Sequence, residues 1–369
     1  MPVRVAALAR LAGVLALAAG IGSAAAEPSK VVNLYSWVEY FPEPLIRRFE
    51  AQTGITVNYS VMDSNDVMEA TLSAGHSGFD LVTVNAVPHL AREIPQHLWQ
   101  KLDRSRISTA GNADPTVLRV LASVDPGNAY AIPWMWGTTG VMYNPDKIRA
   151  AFPEGRGRAI DLVFDPKHAA RLKDCGITIL DAWVDILPML SDWVGQPRLS
   201  TDPAAMKALA DAYAGFRPSL RRVTTSGYYQ QLAEGETCVA IGYSGDAMIA
   251  RRMIAEAKSP VRIDYAYPEV AVFIFVDSFA IPADAPHADA AHRFIDFAMR
   301  PENAASVARF IGFATGNSAA YALLDESIRQ NAAIYPPADV RARMRLGRVY
   351  TPAEERVFAR AWLRMKTGH

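Results

Sequence analysis

The sequence predicts an α/β protein that is divided into two lobes. Strand-like and helical stretches alternate between residues 31 and 84, and two extended apolar segments, 130–143 and 262–281, lie further along the chain. Alternating strands and helices with short connections form a parallel sheet covered by helices. A chain of 369 residues also exceeds the usual size of a single hydrophobic core.

The predicted first lobe begins with three strands and two helices, each supported by local sequence signals. The strands are expected at 31–35, 55–61 and 80–84, and the helices at 44–52 and from Ser64 onward. Gly54 is placed to end the first helix and Ser64 to cap the second. Ligands of such sheets lie at the carboxyl ends of the strands, where Glu39 and Asn85 follow.

The two extended segments predict where the chain passes between the lobes. Residues 130–143 are apolar and interrupted by glycines, and 262–281 are extended again after a predicted helix at 246–257. The chain is therefore expected to leave the first lobe, build the second and return. A last amphipathic helix is predicted at 352–366.

The first 26 residues have the pattern of a secretory signal peptide. Arg4 and Arg10 precede an apolar stretch at 11–21, and small residues at 23–26 form a cleavage site. The apolar stretch is shorter than a membrane span. We expect cleavage near Ala26 and a mature chain in an exported compartment.

The charge balance argues against partners that need a basic surface. Without Arg4 and Arg10 the chain keeps 36 of its 38 basic residues against 38 acidic ones, so its net charge is about −2. Nucleic acids and acidic membrane surfaces are bound through basic patches or stripes. Neither is expected as a partner of this chain.

Carboxylates stand beside aromatic residues in three apolar segments. Asp277 lies within 272–281, where an ionised carboxylate is costly to bury unless it is paired or hydrogen-bonded. The segments 35–40 and 241–246 repeat this combination. Aromatic faces with nearby carboxylates suit an organic ammonium ion. Each segment taken alone is also compatible with a core aromatic beside a helix-capping acid.

Cys175 and Cys238 are the two cysteines of the chain. In an oxidising compartment such a pair is typical of a disulfide, which contributes roughly 4 kcal/mol for a loop of this size. Two buried free thiols are the alternative. No histidine lies at ligand spacing from either cysteine, so no zinc site is expected.

Several segments of the chain resemble one known family over nearly the whole mature length. They are 30–87, 128–144, 175–181, 238–246, 273–282 and 334–343, and the most specific parts are 63–67, 238–246 and 335–342. The sequence is similar to the spermidine/putrescine-binding family, the periplasmic substrate-binding components of bacterial polyamine ABC importers.

The resemblance implies a type II periplasmic binding protein that closes over a diamine. Each lobe would be a mixed sheet flanked by helices, and a hinge would join the lobes. Lobe I is expected to comprise 29–136 and 264–318, and lobe II 137–263 and 319–369. The resemblance also implies a Cys175–Cys238 disulfide. It further implies a monomeric, non-enzymatic protein without cofactor or metal, which delivers its ligand to an inner-membrane ABC permease.

The resemblance implies which residues bind the ligand. The aromatic walls would be Trp37, Tyr40, Phe275 and Phe313. Glu39 and Asp277 would hold one ammonium group. Asp246 and Asp185 would lie near the other, with the alternative that Asp246 only caps the helix that follows it.

This chain departs from the family pattern at several of these positions. Tyr243 replaces a tryptophan, and Asn85 and Val38 replace serines. Val38 cannot accept a hydrogen bond, and Tyr243 offers a smaller aromatic face with an added hydroxyl. Glu39 is one carbon longer than the usual acid and Asp185 one carbon shorter. Putrescine is expected as the ligand, with cadaverine, agmatine and spermidine as alternatives.

Two other functions compete with transport. The segment 242–246 resembles the nucleophile elbow of an exported hydrolase around Ser244, but that motif needs glycine where Asp246 stands. No metalloprotease motif and no nucleotide-binding loop is present. A sensor that presents the loaded protein to a membrane receptor would use the same cleft, so the sequence does not separate it from a transporter.

Overall fold

The computed structural model describes residues 29–38, 40–62, 64–196 and 198–368. The predicted signal peptide and Glu39 lie outside the described residues. Within the described residues, no helix combines the length and the apolar character needed to cross a membrane.

The structure has helices and strands throughout its described length. The strands are β1 (Val31–Ser36), β2 (Thr56–Val61), β3 (Leu81–Asn85), β4 (Ala131–Tyr143), β5 (Ile177–Ile179), β6 (Leu220–Val223), β7 (Val239–Tyr243), β8 (Asp264–Ala266), β9 (Val272–Ala280), β10 (Ala314–Thr315) and β11 (Met344–Leu346). The first helices are α1 (Glu43–Thr53), α2 (Asn65–Ser73), α3 (Ala91–Glu93), α4 (Pro115–Leu121), α5 (Pro145–Ala151), α6 (Asp161–Phe164), α7 (Pro166–Arg171), α8 (Trp183–Trp193) and α9 (Pro203–Phe216). The later helices are α10 (Tyr228–Glu234), α11 (Ser244–Glu256), α12 (Ala288–Ala298), α13 (Pro301–Ile311), α14 (Ser318–Ala322), α15 (Glu326–Arg329), α16 (Ala338–Arg341) and α17 (Pro352–Thr367).

The local signals for the first helices are confirmed. The backbone of Gly54 is left-handed, with φ 70°, and its N–H donates to the carbonyl of Glu50 at the end of α1. The hydroxyl of Ser64 accepts a hydrogen bond from the N–H of Val67 and so caps α2. A glycine and a serine therefore fix the ends of these helices as predicted.

One continuous arrangement of strands runs through the molecule, in the order β2-β1-β3-β9-β4-β7-β5-β6. Strands β1, β2 and β3 pair in parallel at one end, and β5, β6 and β7 pair in parallel at the other. Between them, β9 and β4 pair antiparallel with each other and with their neighbours β3 and β7. The predicted extended segments 130–143 and 262–281 therefore supply the strands that connect the two parallel groups.

The buried apolar residues form separate cores on either side of β4. Ile132 and Trp134, in the first part of β4, pack into the first core, whose residues lie between 32 and 324. Val141 and Met142 pack into the second core, which is built from 141–263 and 350–365. A third cluster, to which Ile334 belongs, adjoins the first core, and these two together form the first side of the structure. One strand therefore contributes side chains to two distinct cores.

The disulfide is present. Cys175 and Cys238 are bonded, with their Cα atoms 5.6 Å apart. Cys238 directly precedes β7, and Cys175 stands two residues before β5, its parallel neighbour. The bond therefore joins the starts of two adjacent strands of the second core.

Two ion pairs join the first side of the structure to the helices of the second core. Arg92, which follows the buried Leu90 of the third cluster, donates to both carboxylate oxygens of Glu355 on α17, at 2.6 and 2.7 Å. Arg345 on β11 pairs with Asp192 on α8. Helix α17 itself packs into the second core through Phe358. The two sides are therefore held together by charged contacts as well as by the shared strands.

Candidate ligand-binding site

The carboxylate of Asp277 lies where β3 and β9 pair. Asn85, the last residue of β3, stands opposite Asp277 in the antiparallel register, and its Nδ2 donates to Oδ1 at 3.3 Å. The hydroxyl of Tyr40 donates to Oδ2 at 2.7 Å. Burial raises the pKa of Asp277 from 3.8 to about 6, and these two hydrogen bonds oppose the rise.

Four of the predicted aromatic residues form a continuous series of ring contacts. Tyr243 meets Phe275 edge to face at 5.5 Å between ring centroids, and Phe275 meets Phe313 in the same way at 5.6 Å. Phe313 then lies 6.4 Å from Tyr40. These separations are typical of favourable aromatic pairs. The series therefore links β7, β9, the turn after α13 and the turn after β1.

Two glycines make room for the middle of this series. A Cβ atom at Gly137 would lie 2.5 Å from Cζ of Phe275, and one at Gly245 would collide with the ring of Phe313. Both glycines have ordinary backbone angles, so the need for glycine here is one of space. The aromatic rings therefore lie directly against the backbones of β4 and α11.

Asp246 lies in the first turn of α11, beside the glycine that contacts Phe313. The helix begins at Ser244, with Tyr243 in the capping position, so the interpretation of Asp246 as the cap of this helix is wrong. Its Oδ2 instead accepts a hydrogen bond from the hydroxyl of Tyr228. Burial raises the pKa of Asp246 to about 6, and this hydrogen bond opposes the rise.

Asp185 lies in the first turn of α8 with both carboxylate oxygens engaged. Thr139 donates to Oδ1 at 2.8 Å, and the hydroxyl of Tyr243 donates to Oδ2 at 3.1 Å. Thr139 and Tyr243 stand directly opposite each other on β4 and β7. Burial raises the pKa of Asp185, and both hydroxyls oppose that change. Asp185 is thereby tied to the Tyr243 end of the ring series.

The structure thus brings together eight of the eleven predicted ligand-binding residues. They are Tyr40, Asn85, Asp185, Tyr243, Asp246, Phe275, Asp277 and Phe313. Trp37 is half-buried and packs against both apolar clusters of the first side. Val38 is 66% exposed in the turn after β1. Glu39, between them and Tyr40, lies outside the described residues.

Sequence reasoning missed two residues that hold the acids in place. Tyr228 is fully buried and reaches Asp246, and Thr139 is buried and reaches Asp185. The pair Tyr228 and Tyr229 opens α10 and carries no local sign of contact with a residue 18 positions later. Thr139 lies within the extended segment that the sequence identifies, but nothing in that segment singles it out.

The serine of the hydrolase hypothesis has a structural role. Ser244 is buried, and its Oγ accepts the backbone N–H of Thr138 at 3.2 Å. This bond fixes the start of α11 against β4. The geometry therefore accounts for Ser244 without a catalytic function.

A separate group of polar side chains has the composition of a metal site. Ligand atoms of Asp66, Glu69 and His89 lie within 4.8 Å of one another. Arg92 already donates to both oxygens of Glu69, through Nε at 2.9 Å and through a second guanidinium nitrogen. The cation at this position is therefore the guanidinium of Arg92.

The arrangement of acids and rings determines what the site can bind. Three acids of the site each accept a hydrogen bond from a tyrosine hydroxyl, in the pairs Tyr40–Asp277, Tyr228–Asp246 and Tyr243–Asp185. Hydroxyl donors hold a carboxylate in position but do not neutralise its charge. Buried carboxylates beside aromatic faces favour an organic cation, through ion pairing and cation–π attraction.

Comparisons with known proteins agree with this geometry. The family model for bacterial extracellular solute-binding proteins matches residues 44–336. The putrescine-binding periplasmic protein PotF of Escherichia coli strain K12 is 38% identical over 367 residues, which cover 97% of this chain and 96% of PotF. The putrescine-binding periplasmic protein SpuD of Pseudomonas aeruginosa strain UCBPP-PA14 is 38% identical over 353 residues, with 94% and 95% covered.

Solved structures give the same result for the fold. A spermidine/putrescine ABC transporter protein from Listeria monocytogenes superposes with a TM-score of 0.79 at 26% identity, covering 92% of this chain and 100% of that chain. The predicted fold, that of a type II periplasmic binding protein, is confirmed. The chain belongs to the family of bacterial extracellular solute-binding proteins.

Proposed function

We propose that this protein binds putrescine, or a closely related diamine, between its two lobes and delivers it to an ABC permease. The observation that carries the proposal is the ring series from Tyr40 to Tyr243 with an acid at either end, the buried Asp277 beside Tyr40 and the partly buried Asp185 beside Tyr243. Asp246 follows the glycine that contacts Phe313, and the Tyr228 hydroxyl links it to the backbone of Tyr243 at the end of the series away from Tyr40.

The chemistry of a diamine matches each part of this arrangement. Its methylene chain would lie against the rings, and its ammonium groups would bond to Asp277 at one end and to Asp246 at the other. Asp185 and Glu39 would contribute negative charge near these two ends. Closure would exclude water and strengthen the ionic contacts, because the effective dielectric constant falls. An amino acid, which carries no net charge, would leave a buried carboxylate unpaired.

We further propose a lobe division that follows the side-chain packing. The boundary at 136 is kept from the sequence prediction, whereas Tyr265 and Ala266 pack against the second core, so β8 would move with lobe II. Ala320, Leu324 and Ile334 pack with the cores of the first side. Residues 319–346 would therefore move with lobe I, and the segment from 347 onward with lobe II. Strands β4 and β9 would carry the hinge between the lobes.

The setting proposed for this function is the periplasm. The relatives named above are periplasmic proteins, and a signal peptide ending near Ala26 would export the chain. The mature chain would act as a monomer, without catalysis, and would present its closed form to an inner-membrane permease. A sensor of the same ligand would use the same cleft and would differ only in its membrane partner.

Calorimetry tests the proposal directly. The mature protein would be stripped of ligand by unfolding and refolding, then titrated with putrescine, cadaverine, agmatine, spermidine and spermine. We expect one-to-one binding that is tightest for putrescine. Tight binding of another amine in this panel would reassign the ligand, and failure to bind any of them would overturn the proposal.

A further inference from the structure

Tyr228 differs from the other tyrosines that contact the site acids. Tyr40 and Tyr243 belong to the ring series, whereas Tyr228 is fully buried behind β7 and reaches the site only through its hydroxyl. The ring lies against the backbone of Gly242, where a Cβ atom would lie 2.8 Å from the hydroxyl oxygen. The position of this hydroxyl is therefore fixed by the strand beside it.

The hydrogen bonds of Tyr228 also fix the direction in which its proton points. The backbone N–H of Tyr243 donates to the Tyr228 oxygen at 3.0 Å. An oxygen that accepts from this N–H still has its own proton to donate, and the remaining partner is Oδ2 of Asp246. The backbone of β7 thus orients Tyr228 as a permanent donor to Asp246.

A donor of this kind favours the ionised form of a carboxylate. Burial favours the neutral form, and the Tyr228 hydrogen bond opposes that effect at Asp246. The other titratable groups that interact with Asp246 are Tyr40 and Tyr243, whose neutral hydroxyls lie near it. Asp185 and Asp277 are further acids around Tyr243, and their charges raise the pKa of the Tyr243 hydroxyl and keep it neutral.

We infer that Tyr228 is a positioning residue that keeps Asp246 ionised for an ammonium ligand at neutral pH. The inference rests on the proposed function, since it assigns the use of Asp246 in amine binding. It also predicts that Tyr228 favours the ionised form of Asp246 in the ligand-free protein, where the ionisation of Asp246 can be measured directly.

The test is the substitution Tyr228→Phe, which removes the hydroxyl and keeps the ring. Tyr213→Phe is the matched control, because Tyr213 is also buried in the second core and its hydroxyl has no hydrogen-bond partner. Putrescine affinity would be measured by calorimetry between pH 6 and pH 9. In parallel, carbon NMR of protein labelled at the aspartate carboxylates would follow the titration of Asp246, assigned with Asp246→Asn.

We expect Tyr228→Phe to raise the pKa of Asp246 and to move the pH dependence of putrescine binding upward by about one unit, since a lost charge-assisted hydrogen bond is of that size. Affinity should fall about fivefold at pH 6 and about twofold at pH 7, and it should approach the wild-type value at pH 9. Tyr213→Phe should leave both titrations unchanged.

The possible failures are distinguishable. An unchanged Asp246 titration in Tyr228→Phe would overturn the inference, whatever the protein binds. An equal loss of affinity at every pH would also overturn it, because that is the effect expected of a purely structural role. A wild-type protein that binds no diamine, with Asp246 shifted in Tyr228→Phe, would overturn the use of Asp246 in amine binding and the proposed function together.

Discussion

Tyr40 and Asp277 lie 237 positions apart in the chain and are joined by a hydrogen bond of 2.7 Å. Tyr40 follows the first strand of the structure, and Asp277 lies on β9, which returns from the second core. Their contact places a buried carboxylate beside the phenol ring of Tyr40, which is one end of the ring series.

Removing the charge of Asp277 should separate binding from stability. We expect Asp277→Asn to weaken putrescine binding by roughly 2–5 kcal/mol, because one ammonium group loses its buried partner. The ligand-free protein should melt at a higher temperature at pH 7, since a buried charge is removed while the amide can still pair with Tyr40 and Asn85. Calorimetry and thermal unfolding measure the two effects.

The control for this substitution is Asp211→Asn on the exposed face of α9, where the carboxylate pairs with Lys207. It makes the same change in net charge and should alter neither quantity appreciably. Wild-type affinity in Asp277→Asn would refute the role of this carboxylate.

Acid pH should release the ligand and stabilise the empty protein. The pKa values of Asp277 and Asp246 are both about 6 in the fold, against 3.8 ordinarily, so both acids take up a proton as the pH falls through 6. A diamine remains doubly charged there, because amine pKa values lie near that of lysine, about 10.4. Affinity should therefore decrease steeply below pH 6, as calorimetry across pH 5 to 8 would show.

Acid pH should raise the stability of the ligand-free protein, although it lowers the affinity for the ligand. A carboxyl whose pKa is higher in the fold than in the unfolded chain destabilises the fold above its folded pKa, here by about 3 kcal/mol for each acid. This penalty disappears between pH 6 and pH 4, so these groups should make the ligand-free protein more stable as the pH falls through that range. An Asp246→Asn, Asp277→Asn double variant should show a much weaker dependence, to which Asp185 still contributes because burial raises its pKa as well. An undiminished dependence in that variant would contradict the assignment.

Restoring a hydroxyl at position 38 should reveal whether the site is built for putrescine. Val38 is exposed in the turn before Tyr40 and cannot accept a hydrogen bond from an ammonium group through its side chain. We expect Val38→Ser to tighten putrescine binding about tenfold, the effect of one added hydrogen bond to a charged group. Val67→Ser on α2 is an exposed control of the same chemistry. An unchanged or weaker affinity would indicate a pocket rebuilt for another amine.

Loss of the disulfide should affect stability and spare binding. Replacing Cys175 and Cys238 by alanine should lower the free energy of unfolding by about 2–4 kcal/mol, because the bond closes a long loop. The bond lies at the start of β7, whereas Tyr243 lies at its other end. Denaturant unfolding and calorimetry would measure the two properties, and a large loss of affinity would show that the bond also shapes the site.

The ion pair between Arg92 and Glu355 should favour the closed form if the two cores belong to separately moving lobes. Both side chains are partly buried, and Arg92 keeps its bonds to Glu69 when Glu355 is changed. We expect Glu355→Gln to weaken ligand binding about fivefold, since a partly buried pair contributes about 1 kcal/mol. Small-angle X-ray scattering of the ligand-free variant should give a larger radius of gyration.

Glu43→Gln is the control, because Glu43 forms an exposed pair with Arg47 within α1. An unchanged affinity and radius of gyration in Glu355→Gln would mean that this contact does not influence closure.

Features that depend on neighbouring residues can be predicted from the amino-acid sequence alone. The ends of α1 and α2 follow from Gly54 and Ser64, because cap geometry involves residues only a few positions apart. The connecting strand β4 follows from an apolar run that is interrupted by glycines at 137 and 140. Hydrophobic periodicity and capping act within one element, so they can be recognised without knowledge of the fold.

Which polar groups come into contact is set by the three-dimensional fold. The start of α11 at Ser244 depends on a hydrogen bond to Thr138 on another strand, and it moves Asp246 from the cap into the first turn. Tyr228 and Thr139 reach the site acids through the pairing of β4 with β7 and the packing of α10. Contacts between distant residues are fixed by strand order and register, and neither leaves a pattern in the local sequence.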